Sequence, residues 1–246
     1  MIPNQKNQVI RKKILSHFEE YALSGKWGQS YTQNINYGFI NRREVFKDLI
    51  VKLAPKTVAD IGCGTGNYTE ILPDSVSEYL GLDFSKKMIQ EAKNKYKNKN
   101  YNFRVFDIMT DNIKKKYDVI VASGLLEYFD EPIIVLNRIR KMMHKESKLI
   151  FQVPNKDCFY WKGKKYQSSP NKDFYHNRFS VPEIKNIISK SNFNLNEVKY
   201  YSHNFFPLSR NFPKITYQLD KYLRVLVPAI LSNIIAQNIV VVCDFK

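Results

Sequence analysis

The stretch Val58–Glu70, VADIGCGTGNYTE, decides the fold of this chain: an apolar run ends at Asp60 and Ile61, and Gly62, Gly64 and Gly66 follow within five residues. A short apolar run closed by glycines is the pattern of a buried strand entering a tight loop. Glycines let such a loop approach a ligand closely, and free N–H groups at a following helix N-terminus would point at it. Asp60 narrows the ligand. A pyrophosphate seated on the loop would be repelled by the carboxylate beside it, whereas a cationic amino acid moiety would be attracted, directly or through water.

From Thr57 onward, strand-like and helix-like segments alternate. Strands are predicted at TVADI (57–61), EYLGLD (78–83), YNFRVFD (101–107), YDVIVAS (117–123), SKLIFQV (147–153), NLNEVKYYS (194–202) and NIVVVCDF (238–245). Between them lie helical patterns, the clearest being PIIVLNRIRKMM, where Ile133, Leu136, Ile139 and Met143 recur at helical spacing. Strands alternating with helices imply an α/β fold with a mostly parallel sheet covered on both faces. The first 55 residues read as a helical cap, VIRKKILSHFEEYA and RREVFKDLIVKL, around a link carrying Trp27, Tyr31, Tyr37 and Phe39. Residues 56–246 read as the main domain, with a polar, aromatic-rich loop at 155–180 and a helical insertion at about 205–235, both on the acceptor side.

Further carboxylates sit where strands end. Asp83, about twenty residues beyond the glycine loop, suits ribose hydroxyls. Phe84 and Met88 can flank an adenine, and Asp107 can accept from its amino group with Ile108 as an apolar neighbour. With VADIGCGTG, YLGLDFSKKM, FRVFDIM, YDVIVASGLLEYF and KLIFQVPN in this order, the chain resembles the class I S-adenosylmethionine-dependent methyltransferases, over about residues 40 to 200.

The resemblance implies a Rossmann-like seven-stranded sheet whose last strand, NIVVVCDF, runs antiparallel. It implies S-adenosylmethionine as cofactor and S-adenosylhomocysteine as product, held by Asp60, Gly62, Cys63, Gly64, Gly66, Asp83, Phe84, Met88, Asp107, Ile108 and Ser123. In related enzymes the N-terminal segment folds over the cofactor with a Tyr and an Arg, roles open here to Tyr31 and either Arg42 or Arg43. Methyl transfer asks the enzyme to hold nucleophile and methyl in line, and an oxygen nucleophile of high pKa also needs a base. His176, His203 and Glu127 are the candidates.

SGLLEYF is also similar to the matching segment of ubiquinone-biosynthesis O-methyltransferases, some of which carry Glu-x-x-Glu-His suited to a metal. Here Gly124 replaces the first acid and Tyr128 the histidine, leaving Glu127, so no metal is expected. The expected acceptor is a small-molecule, lipid-linked or glycan-linked group methylated at oxygen. An RNA methyltransferase, a nicotinamide-dependent oxidoreductase and a non-catalytic relative are the rivals.

The net charge of +16 over 246 residues would attract polyanions, yet its lysines are spread as A/T-rich coding would spread them, and no nucleic-acid motif accompanies them. The most apolar run, Tyr222–Val242, is interrupted by Arg224, Pro228, Asn233, Gln237 and Asn238, which argues against a membrane span. Its helix would touch a membrane surface, form a lid or make a dimer contact, so monomer and homodimer both stay open. Cys63, Cys158 and Cys243 lack metal-ligand spacing and suit reduced thiols of a cytoplasmic protein, and the N-terminus lacks a signal-peptide layout.

Overall fold

The computed structural model describes residues 5–24, 37–97, 101–159, 177–203 and 212–246. Its centre is a seven-stranded sheet: β1 (Thr57–Ile61), β2 (Glu78–Asp83), β3 (Tyr101–Val105), β4 (Tyr117–Ser123), β5 (Met143–Pro154), β6 (Phe193–His203) and β7 (Ala236–Phe245). The spatial order is β3-β2-β1-β4-β5-β7-β6, and β7 runs antiparallel between β5 and β6. The other neighbouring pairs are parallel. The expected α/β sheet with an antiparallel last strand is the observed one.

Seven described α-helices accompany the sheet: α1 (Gln5–Leu23), α2 (Tyr37–Leu53), α3 (Lys86–Lys95), α4 (Pro132–Arg140), α5 (Val181–Lys190), α6 (Pro213–Leu226) and α7 (Ala229–Ile235). Alternation along each strand builds two cores. Ala59, Ile61, Ile120, Ala122, Leu149, Phe151, Ile239 and Val241 face one side with Val135, Leu136 and Ile139 of α4 and Ile184 and Ile188 of α5. Val58, Val119, Val121, Ile150, Val240 and Val242 face the other with Val45, Phe46, Leu49 and Ile50 of α2 and Ile89 and Ala92 of α3. Side chains that switch faces at every residue require helices on both faces, which explains the near-continuous apolar strands.

Three local expectations are corrected. The segment after the glycine loop is a 3-10 turn, Asn67–Ile71, and not an α-helix; Pro73 follows closely and curtails it. Helix α4 stops at Arg140, and Met143 instead opens β5 opposite Tyr117, because pairing with β4 outweighs helical spacing there. The apolar C-terminal helix is two helices, divided at Val227 and Pro228. Of the segment expected as a cap, α2 packs into the core, whereas α1 lies over the strand tips, its Arg11 paired with Asp107.

Helix α5 begins with a complete capping box in which Ser180 and Glu183 exchange hydrogen bonds with each other's backbone. Leu136 is wholly buried beneath α4. Leu136→Ala should cost about 2–5 kcal/mol of unfolding free energy, measured by urea denaturation, from lost transfer energy and a cavity.

Candidate active site

The sheet's pairing converges the predicted site residues. Asp60 lies opposite Gly81 on β2 and Val121 on β4, Asp83 ends β2, and Ser123 ends β4 opposite Gln152 of β5. In an open parallel sheet this carboxyl edge, where strand order reverses between β1 and β4, is where ligands bind. Gly62, Gly64 and Gly66 turn the chain back over that edge at φ 78, 54 and 78, a left-handed conformation that side chains resist.

Two carboxylates are built into this loop. Asp83 accepts hydrogen bonds from the backbone N–H groups of Gly64 (3.0 Å) and Ser85 (2.9 Å), so it both shapes the glycine loop and closes β2. Asp60 is buried; its Oδ2 accepts from the Tyr79 hydroxyl at 2.8 Å, while its Oδ1 has no hydrogen-bond partner among the described residues. Burial raises the Asp60 carboxyl to about 7 against the lowering effect of Tyr79, and the nearby Asp83 charge adds to the rise. Burial raises Asp83 to about 6, opposed by its two backbone donors. Cys63 is buried beneath the loop; burial, then Asp60 and Asp83, hold its thiol well above its ordinary pKa, so it packs as a small apolar group.

Beyond β4, Gly124 adopts φ +66, and a Cβ there would sit 3.1 Å from Arg42 Nη1 and 3.4 Å from Glu127 Oε1. Gly124 therefore makes the space into which Arg42 reaches from α2. Arg42 Nε also donates to the Tyr201 hydroxyl at 3.1 Å, and its guanidinium lies 5.1 Å from the centre of the Phe39 ring. Arg43 points elsewhere and pairs with Glu70 at 2.7 Å, so of the two arginines Arg42 is the one at the strand tips. Glu127 is buried with Oε2 unpartnered among the described residues; burial lifts its carboxyl to about 7, and the Arg42 charge limits the rise. Gln152 is also buried, its Nε2 donating to Asn238 and its Oε1 likewise unpartnered among the described residues.

The remaining candidates divide. Ser123 accepts from the Tyr68 hydroxyl at 2.8 Å. Phe84 is partly exposed and meets Phe18 of α1 edge to face, and Phe18 also meets Tyr128. Asp107 accepts from Met109 N–H at 2.9 Å and is paired with Arg11, so an adenine amino group would share or replace that partner. Met88 is wholly buried and Ile108 belongs to the core, so both support the site from below and expose little surface to a ligand. His203 is corrected as a base: it is 1% exposed, with Nδ1 bonded to Asp220 (2.6 Å) and Nε2 to Ser232 (3.1 Å), so the ring is spent internally. His176 and Tyr31 lie outside the described residues, as do Trp27 and the aromatics of 160–176.

Sequence reading missed Arg11, Phe18, Tyr79 and Gln152. Only Tyr79 carried a signal, being two residues before Gly81 on the strand beside Asp60. Among the described residues, no group of three or more His, Cys, Asp or Glu is placed to hold a metal ion, and no described helix is long and apolar enough to cross a membrane.

Known proteins agree with this geometry. A family described as "Methyltransferase domain" matches residues 39–198. The chain is 34% identical over 122 residues to putative methyltransferase 235L of Invertebrate iridescent virus 6, covering 49% of this chain and 45% of that protein. It is 27% identical over 162 residues to a ubiquinone biosynthesis O-methyltransferase of Coxiella burnetii, covering 64% and 67%. Matches to malonyl-[acyl-carrier protein] O-methyltransferases span between 34% and 68% of their length, and the chain spans about half or less of most of them. Magnesium protoporphyrin IX methyltransferase from Synechocystis PCC 6803, solved with bound SAM, superposes with TM-score 0.65 at 14% identity over 100% of both chains, a likeness of fold.

The raised carboxyls set the sign of the pH dependence. Asp60, Asp83 and Glu127 hold their protons to higher pH in the folded chain than in the unfolded one, so ligand-free stability falls as pH rises from about 4 to 7. Glu127→Gln removes one buried charge. Urea unfolding should show this variant more stable than the parent by roughly 3 kcal/mol at pH 8 and equal to it near pH 4.

Proposed function

The chain belongs to the class I S-adenosylmethionine-dependent methyltransferases, and on that premise we propose that it methylates an oxygen of a small-molecule, lipid-linked or glycan-linked acceptor. One observation carries the cofactor half: Asp60, buried at the tip of β1, has Oδ1 unpartnered among the described residues, beside a left-handed glycine loop. A buried acceptor without a donor is costly, and an ammonium group would relieve it. The residues present therefore fit S-adenosylmethionine, whose amino acid end is cationic, and suit a dinucleotide's pyrophosphate poorly.

When bound, the cofactor supplies a methyl group on a positively charged sulfur that is already a good leaving group. The chain's own work is to hold, orient and move a proton. Asp83 has its backbone donors in place and retains lone pairs for ribose hydroxyls. Phe84 and Phe18 offer aromatic walls for the base, with Asp107 at its polar edge. Asp60, Gly62, Cys63, Gly64, Gly66 and Ser123 frame the amino acid end, and Arg42 stands beside it over Gly124. Tyr31, Met88 and Ile108 complete the proposed cofactor set, the last two from within the core.

Glu127 is the proposed general base. Its carboxyl lies near neutrality, which is where a base works best at physiological pH, and Oε2 has a lone pair to receive the acceptor's proton. His176 is the second candidate. Oxygen as the acceptor atom is supported by relatives named as O-methyltransferases, one of ubiquinone biosynthesis and others acting on a malonyl-[acyl-carrier protein]. The loop 155–180 and the insertion 205–235 are assigned to the acceptor side, because both leave strand ends at the carboxyl edge.

Asp83→Ala should weaken S-adenosylhomocysteine binding about ten-fold or more by calorimetry, from lost charge-assisted hydrogen bonds; unchanged affinity would remove Asp83 from the site. S-adenosylhomocysteine should also bind more tightly at pH 8 than at pH 5.5, with proton release visible as a buffer-dependent heat, because the cation selects the ionised form of Asp60. Transfer of labelled methyl from S-adenosylmethionine to host extracts split into lipid, glycan, RNA and small-molecule fractions identifies the acceptor. Label confined to RNA, or NADH binding in place of S-adenosylmethionine, would replace this reading.

A further inference from the structure

Helices α6 and α7 are built inside out. An ordinary surface helix buries its apolar stripe and turns its charges to water. On α6, Thr216, Asp220 and Arg224, spaced four residues apart, face inward and are engaged there. Asp220 is 1% exposed and accepts from both the backbone N–H and the ring of His203, and Arg224 donates to Glu44 of α2 at 3.2 Å. Tyr217 donates to the same Glu44. On α7, the buried residue is Ser232, bonded to His203. The outer face is the apolar one: Ile215, Leu219, Tyr222, Val225 (82% exposed), Leu226 and Ile230 (79% exposed). A helix pair whose polar side is pinned to the protein, and whose apolar side is left uncovered by the described residues, is arranged for surroundings other than water.

Place and charge identify those surroundings. The insertion leaves β6 at His203 and enters β7 at Ala236, and these two residues pair with each other at the edge where Pro154 ends β5. It therefore sits at the carboxyl edge that carries Asp60, Asp83 and Glu127. Within residues 212–235 the charges are Lys214, Lys221 and Arg224 against Asp220 alone, in a chain of net charge +16. Asp220 and Arg224 are turned inward and Lys221 pairs with Glu44, so Lys214 is the charge left on the outer side, and a second copy would bring another lysine and no acid to meet it. Anionic lipid headgroups complement it, with Lys214 exposed at the start of α6 and Tyr222 suited to the headgroup level.

We infer that the outer face of α6–α7 docks on an anionic lipid bilayer, holding the strand-tip site toward an acceptor carried in that bilayer. The docking rests on the reversed polarity of the helices; the acceptor class rests on the methyl-transfer reading above. The helices lie along the surface as an interfacial pair and do not span it.

The test is co-sedimentation of the full chain with vesicles of phosphatidylcholine alone or with about one third phosphatidylglycerol, without cofactor. Partitioning should be at least about ten-fold stronger on the anionic vesicles and weaken with added salt. The double variant Val225→Glu, Ile230→Glu should lose about ten-fold or more of that binding while keeping its circular dichroism, since both side chains are already in solvent. Absence of vesicle binding, equal binding by the variant, or a dimer in sedimentation velocity that the same substitutions dissolve would each overturn the inference. S-adenosylhomocysteine calorimetry in vesicle-free buffer tests the methyl-transfer reading separately, so the two can fail independently.

Discussion

Parallel pairing of β1 between β2 and β4 is the constraint on which the molecule turns. It stacks Asp60 next to Gly81, brings the half-buried Asp83 to the adjacent strand end, and encloses the Asp60 carboxyl. Burial raises the pKa of both acids, and the Asp83 charge adds to the rise at Asp60. The fold meets the cost with the Tyr79 hydroxyl on one and two backbone donors on the other, and still leaves Asp60 Oδ1 without a partner among the described residues. In the proposed function, that incomplete satisfaction is what favours an ammonium group over a phosphate at this strand tip.

The acceptor side follows a different logic. Gly124 stands where the related metal-suited pattern has an acid, and the vacated volume admits Arg42. The exchange turns a metal-like acidic pair into a single buried carboxylate beside a guanidinium. Burial then raises the Glu127 carboxyl, a backbone hydrogen bond and the Arg42 charge oppose the rise, and it settles near neutrality. His203 shows the opposite outcome. Its position after β6 suited a base, yet Asp220 and Ser232 occupy both ring nitrogens, and the residue instead fastens α6 and α7 to the sheet. That fastening is what leaves the apolar side of the two helices facing outward.

Alternation of apolar residues and glycine punctuation made the strand set legible in advance, because a strand buried on both faces has few other ways to be written. Asp60 and Asp83 were legible for a related reason: a carboxylate at the end of an apolar run has nowhere to go but the strand tip. Helix boundaries were less so. Met143 fits the face of α4 by spacing and belongs to β5 by pairing, and spacing alone cannot weigh the two.

The amino-acid sequence by itself determined the α/β class, the order of strands along the chain and the glycine loop with its acidic neighbour, since these follow from local periodicity and backbone sterics. Tertiary structure alone decided which arginine reaches the strand tips, that Tyr79 satisfies half of Asp60, that His203 is enclosed, and that α6 turns its charges inward. Each of those depends on residues between 17 and 180 positions apart, such as His203 with Asp220 or Arg224 with Glu44. Contacts over such separations are selected by burial and charge compensation across the whole fold, and periodicity in one segment carries no record of the partner it will meet.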